Sequence, residues 1–162
     1  MKRLILLAVA TLFFAFQLAV QNVAAIELDE ATRTLKLNGA GDTVVFTLEQ
    51  IKEGKRIFND TCAQCHAQGE TKTDPNVDLG GEALAYAFPP RDNIEAIVEF
   101  LKDPMSYDGA YSISDFHPSL KSADIFPEMR NLSEDDLYAV AGHILLQPKV
   151  QGIQWGGGKA VR

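Results

Sequence analysis

The stretch Cys62-Ala63-Gln64-Cys65-His66 holds both cysteines of this 162-residue chain. Two thiols three positions apart can add to the two vinyl groups of one haem, and the following imidazole can then bind the iron. The alternatives are a disulfide or half of a zinc site. A zinc site needs four nitrogen or sulfur ligands, and no second cysteine pair exists. The motif therefore predicts one covalently bound haem c, held by Cys62 and Cys65 with His66 as an iron ligand.

The amino terminus has the organisation of an export signal, predicted over residues 1–25. Lys2 and Arg3 precede an almost entirely apolar run over residues 4–20, and Val23-Ala24-Ala25 forms a small-residue cleavage site. These features predict a mature chain that begins at Ile26. The alternative is an uncleaved membrane anchor, because the apolar run is long for a signal. Either interpretation places the domain across a membrane, where c-type haem is attached.

The predicted mature chain is strongly acidic. Residues 1–25 contain two cations and no anion, so residues 26–162 keep 13 Lys and Arg against 22 Asp and Glu, a net charge of −9. An acidic domain does not bind nucleic acid through counterion release. The charge suits a partner with a basic patch, although acidity also serves solubility alone.

Hydrophobic periodicity predicts a mainly helical domain after a short hairpin. Residues 34–37 and 43–46 alternate as β-strands do, and Asn38-Gly39-Ala40-Gly41 supplies the turn. Helices are predicted to start at Thr47 with Gln50 as a capping box, at residue 81, at Asp92 and at Ser133. Pro148 is predicted to end the last helix, and residues 104–130 are predicted to form a long loop over a haem face.

Two residues are candidates for the second axial ligand of the iron. Met129 lies 63 residues after His66, and His117 lies 51 residues after it in the irregular segment. Pro118 restricts His117 to extended backbone, which favours rigid presentation of the side chain. His143 is predicted to be a packing residue of the last helix. Trp155 is predicted either to stack on a partner or to fold back on the domain. Five aromatic residues are predicted to line the haem or the core: Tyr86, Phe88, Phe100, Phe116 and Phe126.

A helix before C-x-x-C-H, a long middle segment and a capped final helix resemble class I cytochromes c. In that family the first and last helices cross closely, which is consistent with Gly54 and Phe58 on one helix. On the other helix, Tyr138, Ala141 and Gly142 could complete the crossing. The segment Lys72-Thr73-Asp74-Pro75-Asn76 is similar to the family's loop after the haem motif. By that resemblance, the Pro75 carbonyl would accept a hydrogen bond from His66 Nδ1.

A narrower resemblance, to the cytochrome c-550 family of photosystem II, covers nearly the whole mature chain. The runs that match in order and spacing are residues 54–58, 60–62, 91–93, 98–102, 106–109, 117–118, 127–131 and 155–157. Cytochromes of this type are bis-histidine, so the resemblance favours His117 over Met129 as the iron ligand. Two imidazoles stabilise ferric iron better than histidine with methionine does, which implies a low potential.

The resemblance implies a mainly α fold, a class I cytochrome c-like helical domain with an N-terminal β-hairpin and one covalent haem. Residues 1–25 would be the signal peptide and 26–162 the cytochrome domain. Within that domain we expect a hairpin extension at 26–46, the haem-binding core at 47–147 and a tail at 148–162.

In function, the resemblance implies a non-enzymatic extrinsic subunit on the lumenal side of the thylakoid membrane. It would bind photosystem II core subunits and other extrinsic proteins, and it would stabilise the manganese–calcium cluster and retain its calcium and chloride. The alternative is a soluble mono-haem electron carrier of photosynthetic or respiratory electron transport. Met129 ligation and a high potential would favour that alternative. A haem enzyme such as a peroxidase, which needs a vacant or labile distal position, is a weaker alternative.

Overall fold

A two-stranded antiparallel hairpin precedes the helical domain, as predicted. The computed structural model describes residues 28–157, so the predicted signal peptide, its cleavage site and residues 158–162 lie outside the described part. Strand β1 (Thr34–Lys36) pairs with β2 (Thr43–Val45) in a register that places Leu35 opposite Val44. Asn38 Oδ1 accepts the Ala40 N–H at 3.0 Å, which stabilises the turn.

Helices make up most of the rest of the described chain. The α-helices are α1 (Glu30–Arg33), α2 (Leu48–Ile57), α3 (Ala63–His66), α4 (Gly81–Tyr86), α5 (Ile94–Lys102) and α6 (Glu134–Gln151). A π-helical turn spans Phe58–Cys62, and 3₁₀ turns span Ala67–Gly69, Pro127–Met129 and Gly152–Gln154. Among residues 28–157, none of these helices is long and apolar enough to cross a membrane.

The predicted helix starts are confirmed at three positions, including residue 81, where α4 begins, and shifted at the fourth. Thr47 with Gln50 forms a complete capping box on α2, and Ser133 with Asp136 forms one on α6. The prediction that Asp92 caps α5 is wrong, because Asn93 accepts the Ala96 N–H at 3.0 Å. Asp92 instead pairs with Lys36 Nζ at 2.7 Å and so ties α5 to the hairpin.

The prediction that Pro148 ends the last helix is also wrong, because α6 continues to Gln151. An internal proline removes one N–H from the helical ladder and crowds the carbonyl four residues earlier, so other contacts must offset its cost. Lys149 in the following turn donates to Ala31 O at 3.0 Å and to Thr34 O at 2.7 Å, and these contacts hold that turn against the hairpin. The helix stops at Gly152, whose φ of 58° is left-handed.

Helices α2 and α6 cross so closely that glycine is required at the contact, as the resemblance to class I cytochromes c implied. A Cβ on Gly54 would collide with the backbone carbonyl of Ala139, and one on Gly142 would collide with the Phe46 ring. The Phe46 ring also stacks on Tyr138, with centroids 5.1 Å apart. The hairpin therefore reaches into the helix crossing and helps to fix its geometry.

We expect Gly54→Ala to destabilise the haem-loaded protein by about 1–3 kcal/mol, because the Ala139 carbonyl is backbone and cannot rotate away. The measurement is the denaturant midpoint. Gly81→Ala is the matched control, since its Cβ would meet only Pro148 at 3.7 Å and alanine favours helix. A Gly54→Ala variant as stable as wild type would contradict the close crossing.

Candidate haem site

A cavity of about 460 Å³ opens between α3, α4, α5 and the long loop over residues 104–130. Its volume lies within the range of cofactor sites, roughly 300–1,000 Å³. Cys62, Cys65, His66 and His117 all line it, so the fold brings the predicted haem residues together. The apolar part of its wall includes Phe58, Leu84, Ile97, Phe100, Phe126 and Ile144.

The two cysteines reach the cavity through a local change of helix geometry that the sequence did not predict. The π-helical turn Phe58–Cys62 lies between α2 and α3, and Thr61 Oγ1 donates to Ile57 O at 2.7 Å within it. Cys62 is half-buried and Cys65 is exposed, and both are free thiols. Burial raises the pKa of the Cys62 thiol. π-turns often occur at functional sites, where they re-aim side chains.

His66 and His117 face each other across the cavity with ring centroids 6.1 Å apart. A metal ion bonded at about 2 Å to one nitrogen of each imidazole would fit between rings at this separation. His66 and His117 are therefore close enough to hold one iron between them if haem is bound. The separation fits the predicted haem with His66 and His117 as its axial ligands.

Hydrogen bonds at Nδ1 orient both imidazoles. His117 Nδ1 lies 2.9 Å from Pro118 O, so the Nδ1–H tautomer donates there and leaves the Nε2 lone pair for a metal. His66 Nδ1 lies 3.2 Å from Thr71 Oγ1, so the hydroxyl is one orienting partner. The contact between His66 and the Pro75 carbonyl stays a prediction.

The surroundings of His66 and His117 favour the neutral form of both imidazoles. Burial lowers the pKa of His66, and burial together with repulsion from a protonated His66 lowers the pKa of His117 to about 4. Metal binding requires the unprotonated imidazole, so the site favours ligation over proton uptake.

Met129, the alternative ligand, lies in the same cavity on the 3₁₀ turn Pro127–Met129. It is buried at 3% exposure and belongs to the main hydrophobic cluster. This packing accounts for the residue without a bond to iron.

The predicted aromatic lining is right for three residues and wrong for two. Phe100, Phe116 and Phe126 line the cavity, whereas Tyr86 and Phe88 are 67% and 69% exposed and lie in neither the cavity wall nor the core. Ala83, Leu84 and Ala87 take the inward positions of that segment, which turns Tyr86 and Phe88 outward. Trp155 folds back on the domain: it is 5% exposed and its Nε1–H donates to Leu79 O at 2.9 Å.

No sequence pattern predicts the cavity's buried cation, Arg91. The residue is 9% exposed and lines the cavity. A single arginine beside two prolines gives no signal of burial, and only the fold places it here.

His143 packs beside the site as predicted, at 4% exposure, with its ring 5.0 Å from that of Phe58. Burial, reinforced by the charge of Lys55, lowers the pKa of His143 to about 4. An unfolded histidine titrates near pH 6.5. The unfolded state therefore gains its proton first as the pH falls, and the free energy of unfolding drops between pH 6.5 and 4.

As the pH is lowered to 4, we expect the free energy of unfolding of the wild type to fall by at most about 3 kcal/mol more than that of a His143→Gln variant. The measurement is the denaturant midpoint of both haem-loaded proteins at several pH values, and the difference between the two curves cancels the other titrating groups. Parallel curves would show that His143 does not contribute.

Comparisons with known proteins agree with this fold and identify the family. The family model of the cytochrome c-550 domain matches residues 26–162. "Photosystem II extrinsic protein V" of Nostoc punctiforme is 59% identical over 158 residues, which cover 98% of this chain and 97% of that protein. The protein of the same name from Porphyra purpurea is 64% identical over 137 residues, covering 85% and 84%.

Two solved cytochrome structures are also similar to this chain in fold and in sequence. The crystal structure of cytochrome c549 superposes with a TM-score of 0.78 at 62% identity, covering 79% of this chain and 99% of that one. The PsbV2 cytochrome of Thermosynechococcus elongatus superposes with a TM-score of 0.61 at 34% identity, covering 70% and 81%. With a family model matched over its whole predicted mature length, the chain belongs to the cytochrome c-550 family.

Proposed function

We propose that this chain is an extrinsic, haem-carrying subunit of photosystem II, peripheral on the lumenal side of the thylakoid membrane. The observation that carries the proposal is its similarity, over 98% of its length, to a protein named for that role. The predicted signal peptide would deliver it across the membrane.

We assign the covalent haem to Cys62 and Cys65 and its axial ligation to His66 and His117. The facing imidazoles, 6.1 Å apart, support this ligand pair. The bound haem would supply a one-electron couple of low potential. With His66 and His117 both holding the iron, the chain would offer no open iron site for a substrate, and we assign it no enzymatic activity.

The role that follows is structural support of the oxygen-evolving centre. The subunit would stabilise the manganese–calcium cluster and retain its calcium and chloride, through contacts with photosystem core subunits and other extrinsic proteins. The acidic surface, with 22 Asp and Glu against 15 Lys and Arg in the whole chain, suits basic patches on those partners.

The test uses oxygen-evolving membranes of the host. A high-salt wash screens charge pairs and should release a band that stains for haem, with loss of oxygen evolution. Adding back the purified haem-loaded protein should restore the activity, and adding calcium and chloride alone should replace it in part. Haem-loaded cytochrome c from another source is the control.

A haem-stained band absent from core particles, with oxygen evolution unaffected by the wash, would contradict the proposal. That result would favour the soluble electron carrier.

A further inference from the structure

Arg91 is the buried charge of the haem cavity, and its surroundings are unusual. Its Nη2 donates to Met105 O at 2.8 Å and to Ser106 O at 2.7 Å. The guanidinium carbon lies 4.1 Å from the centroid of the Phe100 ring. Two carbonyls and one aromatic face therefore hold the side chain in a single position at the cavity wall.

This cation has no anionic partner in the described protein. Within residues 28–157, no carboxylate lies within ion-pair distance of Arg91, and neither Nε nor Nη1 has a hydrogen-bond acceptor. The ion pairs within residues 28–157 are all partly exposed, so water reaches both partners. Arg91, by contrast, is buried and belongs to no ion pair in that range.

A buried unpaired charge is costly, and arginine cannot avoid the cost by losing its proton. Neutral carbonyls and an aromatic face offset only part of the lost hydration. A compensating anion is therefore expected in the cavity that Arg91 lines. The cofactor assigned to this cavity brings such anions, because a haem carries two propionate carboxylates.

We propose that Arg91 compensates the charge of a haem carboxylate and that its positive charge raises the reduction potential of the haem. The inference rests on the proposed haem site. A fixed positive charge near the iron favours the reduced state, which carries one positive charge less. Arg91 thus opposes the effect of the two histidine ligands.

A second contact connects Arg91 to the ligand set. The Phe100 ring that it covers lies edge-on to the His117 ring, with centroids 4.9 Å apart. Arg91 could therefore act on the iron by its charge or by positioning His117 through Phe100, and the test must separate these effects.

The experiment compares the reduction potentials of the haem-loaded wild type with those of Arg91→Gln, Arg91→Met and Arg91→Lys. Gln and Met remove the charge, and Met keeps the apolar stem. We expect both to shift the reduction equilibrium at least tenfold toward the oxidised form, which is about 59 mV for one electron. Arg91→Lys keeps the charge, so its reduction equilibrium constant should stay within about threefold of that of the wild type. Lys52→Gln removes an exposed cation and is the control for net charge.

Unchanged reduction potentials in Arg91→Gln and Arg91→Met would overturn the proposal. Equal shifts in Arg91→Met and Arg91→Lys would also overturn it, because they would show that the geometry of the side chain matters and not its charge. The near-ultraviolet and Soret spectra of each variant check that both axial ligands remain. Haem content is measured first: a wild-type protein without covalent haem would refute the haem site itself, whereas full haem content with unmoved potentials would refute only the role of Arg91.

Discussion

The Cys62→Ser, Cys65→Ser double variant is expected to contain no covalent haem. Serine hydroxyls do not form thioethers with the vinyl groups, and these cysteines are the chain's only thiols. The measurement is a haem stain of the denatured protein, in which only covalently bound haem remains with the chain. Each single variant is the matched control and should keep one bond, with a shifted haem spectrum. Stain in the double variant would refute the attachment sites.

Loss of haem should also destabilise the fold. An empty cavity of about 460 Å³, at about 24 cal/mol per Å³, corresponds to at most about 11 kcal/mol. That is comparable to the whole stability of a typical domain, about 5–15 kcal/mol. We expect the double variant to collapse around the site and to lose cooperative thermal unfolding, measured by circular dichroism. A sharp transition at the wild-type temperature would contradict this expectation.

His117→Met is expected to raise the reduction potential by on the order of a few hundred millivolts, within the roughly 0.8 V range that axial ligands span. A thioether favours ferrous iron more than a second imidazole does. Spectroelectrochemical titration measures the change, and a sulfur-to-iron charge-transfer band would identify the new ligand.

Met129→Leu is the matched control for ligand identity. If His117 binds the iron, this variant keeps the wild-type potential and loses only some packing, because Met129 is then a core residue. A large change in Met129→Leu together with an unchanged His117→Met would reverse the assignment.

Local chemistry was enough to predict the elements whose boundaries depend on neighbouring residues. The hairpin turn at Asn38 and the caps at Thr47 and Ser133 use hydrogen bonds within a few positions of the chain, and all are found in the structure. Family resemblance supplied His117, which spacing alone left equal to Met129.

The errors concern features that tertiary contacts determine. Pro148 lies inside α6 because contacts between Lys149 and the hairpin hold the following turn in place. Tyr86 and Phe88 turn outward because smaller neighbours fill the interior. The burial of Arg91 has no local signature, because its contacts are with Phe100, Met105 and Ser106. The π-turn over Phe58–Cys62 likewise follows no sequence pattern that we identify.

The contact between Trp155 and Leu79 joins positions 76 residues apart and has a consequence for the order of assembly. The Trp155 ring also lies against Gly69. Trp155 therefore contacts both ends of residues 69–79, the segment that follows the haem motif. Synthesis proceeds from the amino terminus, so Trp155 emerges after the haem motif and after residues 69–79. The nascent chain thus presents its two thiols before Trp155 is available to hold that segment in place. A chain truncated before Trp155 would lack the contacts that hold residues 69–79 in place.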